Sequence, residues 1–333
     1  MNSRERLYAR MRGAPVDKVP NMNIVMGLVA KAAGVSYSVY VRDYRKLVEG
    51  NLICAERFGL DSVSVISDPM REASAFGSTL VFPEEGVPYC EPPLLAAGYD
   101  LNLVRITDPL ESPRTLDRIK GVELLKRKVR EDYPVIGWVE GVLAEVADLR
   151  GVNALMYDLI EEESALPELM DMVYQQQCRF ALEQIKAGAD IIGVGNSVAS
   201  LIGPVLYEKY ALPYDRALVE YIHTNGAKVK LHICGNITQL LTLLRQVAPE
   251  ILDVDWMVDF RKAAAVFADT ATCVCGNVDP VAVLYRGDAA LVERKVLECA
   301  SLDDATVLVA AGCEVPAATP EENLLLMDRL LYR

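Results

Sequence analysis

Histidine is nearly missing from this chain: two in 333 residues, with only two tryptophans and six phenylalanines beside them. Basic charge is short as well, 34 Lys and Arg against 47 Asp and Glu. The net charge of −13 removes the basic face that nucleic-acid binding needs. No apolar run reaches the roughly 18–20 residues of a membrane span. The opening MNSRERLYARMRG is charged, with no apolar signal core behind it, so a cytoplasmic protein is expected. Disulfides are disfavoured in that compartment, which makes the eight scattered cysteines small buried residues or ligands. GxGxxG turns and Walker loops are absent, and with them any motif for a nucleotide cofactor. No Gly/Ser/Pro-rich linker, internal repeat or low-complexity segment divides residues 1–333, which read as one domain.

What is present is a packed globular composition, 52% hydrophobic and 24% charged. Eight β-branched-rich runs recur: NMNIV (21–25), SVSVISD (62–68), YPVIGWVE (133–140), ADIIGVGNS (189–197), KVKLHICG (228–235), ILDVDWMVD (251–259), TCVCGNVDP (272–280) and TVLVAAGC (306–313). Helix-periodic stretches lie between them. Strands alternating with helices imply parallel pairing, and eight such units predict an α/β fold, a (β/α)8 TIM barrel. Residues 76–100 read as an inserted hairpin or lid after the second strand.

Function in such a barrel sits at the C-terminal strand ends. The ends read here carry Asp68, Glu140, Asn196, His232 with Cys234, Asp255, Asn277 with Asp279, and Cys313. His232 and Cys234 are two apart, so on a strand both face the mouth while Leu231 and Ile233 face helices. Lys230 falls one layer lower, where an interior carboxylate can pair with it. Cys313 ends the last run after inward positions read as Val307, Val309 and Ala311. Strands 5 and 8 then face each other, and one imidazole with two thiolates forms a donor set suited to zinc with a position left open. The competing reading is a hydrogen-bonded core histidine with two inert thiols. Cys273 and Cys275 share a face and read as barrel filling, with rival ligands as the alternative. His223, near a helix end, reads as structural.

These segments resemble the uroporphyrinogen decarboxylase superfamily, and within it the zinc-containing corrinoid methyltransferases. The likeness runs from RERLYARMRGAPVDKVP through GADIIGVGNSVASLIGPVLYEKYALPYDRALVEYIHTNGAKVKLHICGNI and CGNVDPVAVL to AGCEVPAATPEENLLLM. Two departures separate the chain from the decarboxylase itself. NMNIVMGLVAKAAG lacks the arginines that hold the porphyrinogen's carboxylates, and Cys313 stands where that enzyme has a histidine. The resemblance implies zinc on His232, Cys234 and Cys313. It implies a corrinoid carried by a separate protein, since no DxHxxG signature occurs here, and it leaves room for a homodimer.

The expected activity is methyl transfer from a methoxylated aromatic, a phenyl methyl ether, to the Co(I) of the corrinoid protein, as in O-demethylase systems. The alternative is a methyl-corrinoid:thiol transferase of the coenzyme M type, for which only Arg71 offers a sulfonate anchor. A decarboxylase and a non-catalytic binding barrel rank below both. Met26, Trp138, Met156, Asn196, Tyr207, Trp256 and Asn277 are the expected substrate contacts. Glu140 is read as a fourth ligand or proton donor, against a solvated carboxylate or cap. Asp68 is read as orienting substrate or accepting from His232, against a helix cap.

Overall fold

The computed structural model describes residues 1–302 and 306–332. Among the described residues nine strands form: β1 (Val63–Ser64), β2 (Leu80–Val81), β3 (Tyr89–Cys90), β4 (Val135–Glu140), β5 (Ile191–Gly195), β6 (Lys228–Ile233), β7 (Ile251–Val254), β8 (Cys273–Val278) and β9 (Val307–Ala311). Seven make one parallel sheet in the order β1-β4-β5-β6-β7-β8-β9, curled as in a TIM barrel with helices packed outside. Strands such as β4, VIGWVE, are buried at every position because helices cover the outer face and side chains fill the inner one. Within 76–100, β2 and β3 pair antiparallel over two residues on each side, Leu80 with Cys90 and Val81 with Tyr89.

The first predicted strand, 21–25, does not form as a regular strand. It contributes one parallel bridge, Asn21 to Val309, flanked by Met22 N donating to Val309 O (3.0 Å) and Val309 N to Pro20 O (3.2 Å). The next ladder bond is taken over by a side chain: Asn23 Oδ1 accepts from Ala311 N at 2.6 Å. On its other side Asn21 O accepts from Asp61 N (2.8 Å), so the segment bridges both edges of the sheet.

Alternation sorts the faces. Ile136, Trp138, Ile191, Ile251, Cys273, Cys275, Leu308 and Ala310 form the inner cluster, and Cys273 and Cys275 fill a barrel layer as expected. Val229, Leu231 and Ile233 pack outward on the helices. So do Val307, Val309 and Ala311, which reverses the parity expected for the last strand. The register explains it: inward Cys275 pairs with Leu308, and partners in a ladder share a face. Cys313 therefore reaches the mouth by the turn after β9, not along the strand. Gly312 makes that turn possible, because a side chain there would run into the backbone of Asp255 and Trp256.

Candidate metal centre

The end of β6 and the turn after β9 bring three soft donors together at the barrel mouth. His232 Nε2 lies 3.1 Å from Cys234 Sγ, which lies 3.8 Å from Cys313 Sγ, and all three ligand atoms fall within 4.8 Å of one another. A tetrahedral zinc with bonds of about 2.3 Å to sulfur sets its thiolates about 3.8 Å apart. The sulfur pair matches that spacing, while the nitrogen–sulfur gap is shorter than the about 3.6 Å such an ion sets. Among the described residues, no other His, Cys, Asp or Glu group has such spacing. Imidazole plus two thiolates is a borderline-soft set, and the residues fit zinc.

Beneath the donors is a carboxylate absent from the expected set. β6 pairs His232 with Asp253 of β7, and Asp253 Oδ2 stands 3.2 Å from His232 Nδ1 and 2.7 Å from Lys230 Nζ. This is the interior partner expected for Lys230, and it corrects the assignment of Asp68 to His232. Asp68 is held instead by Arg114 (2.5 Å) and Ser67 Oγ (2.7 Å), and its Oδ1 accepts from Met70 N (3.2 Å). Burial disfavours a charged His232, but Asp253 outweighs it and the pKa is pushed up to about 10. Cys313 is drawn down to about 4 by its contact with Cys234, then by His232. Cys234 is pushed up by its contact with Cys313 and by burial.

A cavity of about 170 Å³ opens over these donors. Of the expected contacts, Met26, Trp138, Asn196, Asp68 and Glu140 line it. Tyr207 is buried behind the wall, its hydroxyl donating to Asp215 Oδ2 at 2.7 Å. Trp256, 44% exposed, and Asn277 line a different hollow. Asn277 Nδ2 is spent on the carbonyls of Asp255 (3.0 Å) and Val258 (2.7 Å). Met156 is not on the cavity wall. Glu140 stands apart from the three-donor cluster, with Oε1 2.7 Å from Arg71 Nη2. Asp255 ties down the loop after Cys234 by accepting from Gly235 N at 3.0 Å. Asp279 accepts from Val281 N and Ala282 N, both at 2.8 Å, as a turn residue does. His223 sits at the surface, 2.9 Å from Glu250.

Sequence reasoning passed over two residues. Asp253 was signalled by alternation, two positions before Asp255 on the inward face. Glu314 directly follows Cys313 and also lines the cavity, with Oε1 accepting from Gly27 N at 2.8 Å.

The uroporphyrinogen decarboxylase (URO-D) family pattern matches residues 2–330. The chain belongs to the uroporphyrinogen decarboxylase family. Within that family it is 29% identical to a methylcobamide:CoM methyltransferase, MtbA, of Methanosarcina mazei, over 97% of this chain and 96% of the relative. It is 26% identical to the methylcobamide:CoM methyltransferase MtaA of Methanosarcina barkeri, over 96% and 94%. A uroporphyrinogen decarboxylase of Syntrophotalea carbinolica is 25% identical over 72% and 69%. In fold, the chain superposes on a methyltransferase from Methanosarcina mazei with a TM-score of 0.89 at 22% identity, covering 99% of this chain and 98% of that one.

Proposed function

We propose that this family member is a corrinoid-dependent methyltransferase that moves a methyl group from the cobalt of a separate corrinoid protein to a thiol. The observation that carries the reading is the convergence of His232, Cys234 and Cys313 over an open cavity, in a chain whose full-length relatives bear the methylcobamide:CoM methyltransferase name. The aromatic-ether reading loses its support, since Tyr207 and Trp256 stand off the cavity and leave Trp138 as its one aromatic wall. Nothing in the site favours the decarboxylase, whose carboxylate-binding arginines are missing from 21–34.

His232, Cys234 and Cys313 would hold the metal, and zinc placed there lowers the pKa of a thiol at its open position. Asp253 orients the His232 ring and Lys230 keeps that carboxylate charged. Trp138, Met26 and Ile66 give the cavity apolar walls. In the overall exchange the thiol proton leaves to solvent and the new S–C bond forms as Co–C breaks. Both electrons of the broken bond stay with cobalt, which passes from Co(III) to Co(I).

The test pairs metal analysis with transfer from methylcobalamin to small thiols. About one zinc per chain and thioether formation are expected. Cys313→Ala should lose both metal and transfer while keeping its circular dichroism, and Cys273→Ala should keep its zinc. Full zinc in Cys313→Ala would refute the donor set.

A further inference from the structure

The cavity wall has an uneven supply of donors and acceptors, and this bears on the tail of the thiol. Resting on the methyl-corrinoid:thiol reading, we infer that the acceptor thiol carries a cationic or hydrogen-bond-donating tail, an aminothiol in class, and not a sulfonate. Among the described residues Arg71 is the one Lys or Arg on the wall, and its guanidinium is enclosed by two carboxylates and a carbonyl. Nη2 donates to Glu140 Oε1 (2.7 Å), Nη1 to the Asp68 carbonyl, and Nε faces Glu72 Oε2 at 3.3 Å, with no surface exposed. A sulfonate brings only acceptors and one full negative charge, so seating it would require breaking this buried arrangement.

No uncommitted cationic side chain of Lys or Arg remains on the wall among the described residues. Asn196 is fully buried, and its amide is oriented by Nδ2 donating to both oxygens of Asp215, at 3.0 and 3.1 Å. The part left over is Oδ1, which has no hydrogen-bond partner. Glu314 forms no ion pair among the described residues, and the backbone N–H groups of Gly27 and Met26 bear on its carboxylate. Ser197 can donate or accept. An ammonium or hydroxyl tail can donate to the Glu314 carboxylate on the wall, where a sulfonate is repelled. The relatives named for coenzyme M take a thiol with the opposite charge, so the inference sets this chain apart from them in substrate.

The experiment uses zinc-loaded full-length protein, methylcobalamin as methyl source, and three thiols that differ only in the tail: cysteamine, 2-mercaptoethanol and 2-mercaptoethanesulfonate. The expected order of kcat/KM is cysteamine, then mercaptoethanol, then the sulfonate. Glu314→Gln keeps an acceptor for Gly27 N and should cut the cysteamine-to-mercaptoethanol ratio by about tenfold, the scale of one charge-assisted hydrogen bond. A sulfonate that ranks first, or a ratio unmoved in Glu314→Gln, overturns the inference and leaves the thiol reading standing. Should Glu314→Gln lose zinc, the ranking on the unaltered protein decides alone. No transfer to any thiol by zinc-loaded protein overturns the inference and the thiol reading together.

Discussion

Asp253 shows how much one side chain does in this barrel. It has no exposure, and it pairs with Lys230 while facing the ring nitrogen of His232 that points away from the other donors. Its own pKa is held down, against burial, by Lys230 and His232. Removing its charge should loosen the ring and weaken its basicity. Asp253→Asn is expected to lower zinc affinity by about 10–100-fold. Competition with a chromophoric chelator measures this, and unchanged affinity would show that the carboxylate only neutralises Lys230. At this scale the sequence was legible where spacing reports directions: His232 and Cys234 project together because they are two apart on a strand. It was not legible for Asp68, whose partner Arg114 comes from a helix 46 residues away.

Among the elements, the segment at 21–25 departs furthest from expectation. Its apolar, β-branched composition reads as a strand, yet two asparagines redirect its bonds. Asn23 Oδ1 replaces a main-chain carbonyl on Ala311 N, and Met22 O is left facing Lys230 Nζ at 3.5 Å. Asn23→Ala would leave the buried Ala311 N–H unpaired, at a cost of about 1–3 kcal/mol. The urea midpoint should fall accordingly, with the metal content of the folded protein unchanged. A midpoint equal to that of the parent would mean that the closure does not depend on this side chain. β9 carries the second lesson: periodicity shows that a strand alternates, but not which set faces the axis. Pairing with β8 sets the parity, and the turn at Gly312 then returns Cys313 to the mouth.

For the whole molecule, the chief electrostatic burden is a buried acidic cluster where helices Met70–Phe76 and Val142–Arg150 meet. Burial first, then Asp148, Glu72 and Glu140, push the Glu145 carboxyl well above the usual range, and neither of its oxygens has a partner. Burial likewise raises Glu72 to about 7. An acid whose pKa is raised by folding makes the folded state hold more protons than the unfolded one. Stability from such a group therefore falls as pH climbs from about 4, up to about 7 for Glu72, and in the same direction for Glu145. Glu145→Gln removes the ionisation, so its stability gain over the parent should be small near pH 5 and grow toward pH 8. Urea titrations at the two pH values check this, and a gain independent of pH would place the cost elsewhere.

The chain order of strands and helices, the parallel barrel, and the pairing of His232 with Cys234 follow from local periodicity, which the sequence carries by itself. Cys313 is a candidate partner from its place at the end of the last run, across the barrel from His232. The tertiary structure alone decided that Asp253 supports the histidine, that Tyr207 and Trp256 stand off the cavity, and that Arg71 is already spent. Those facts depend on register between strands and on contacts between residues far apart in the chain, and no local pattern encodes either.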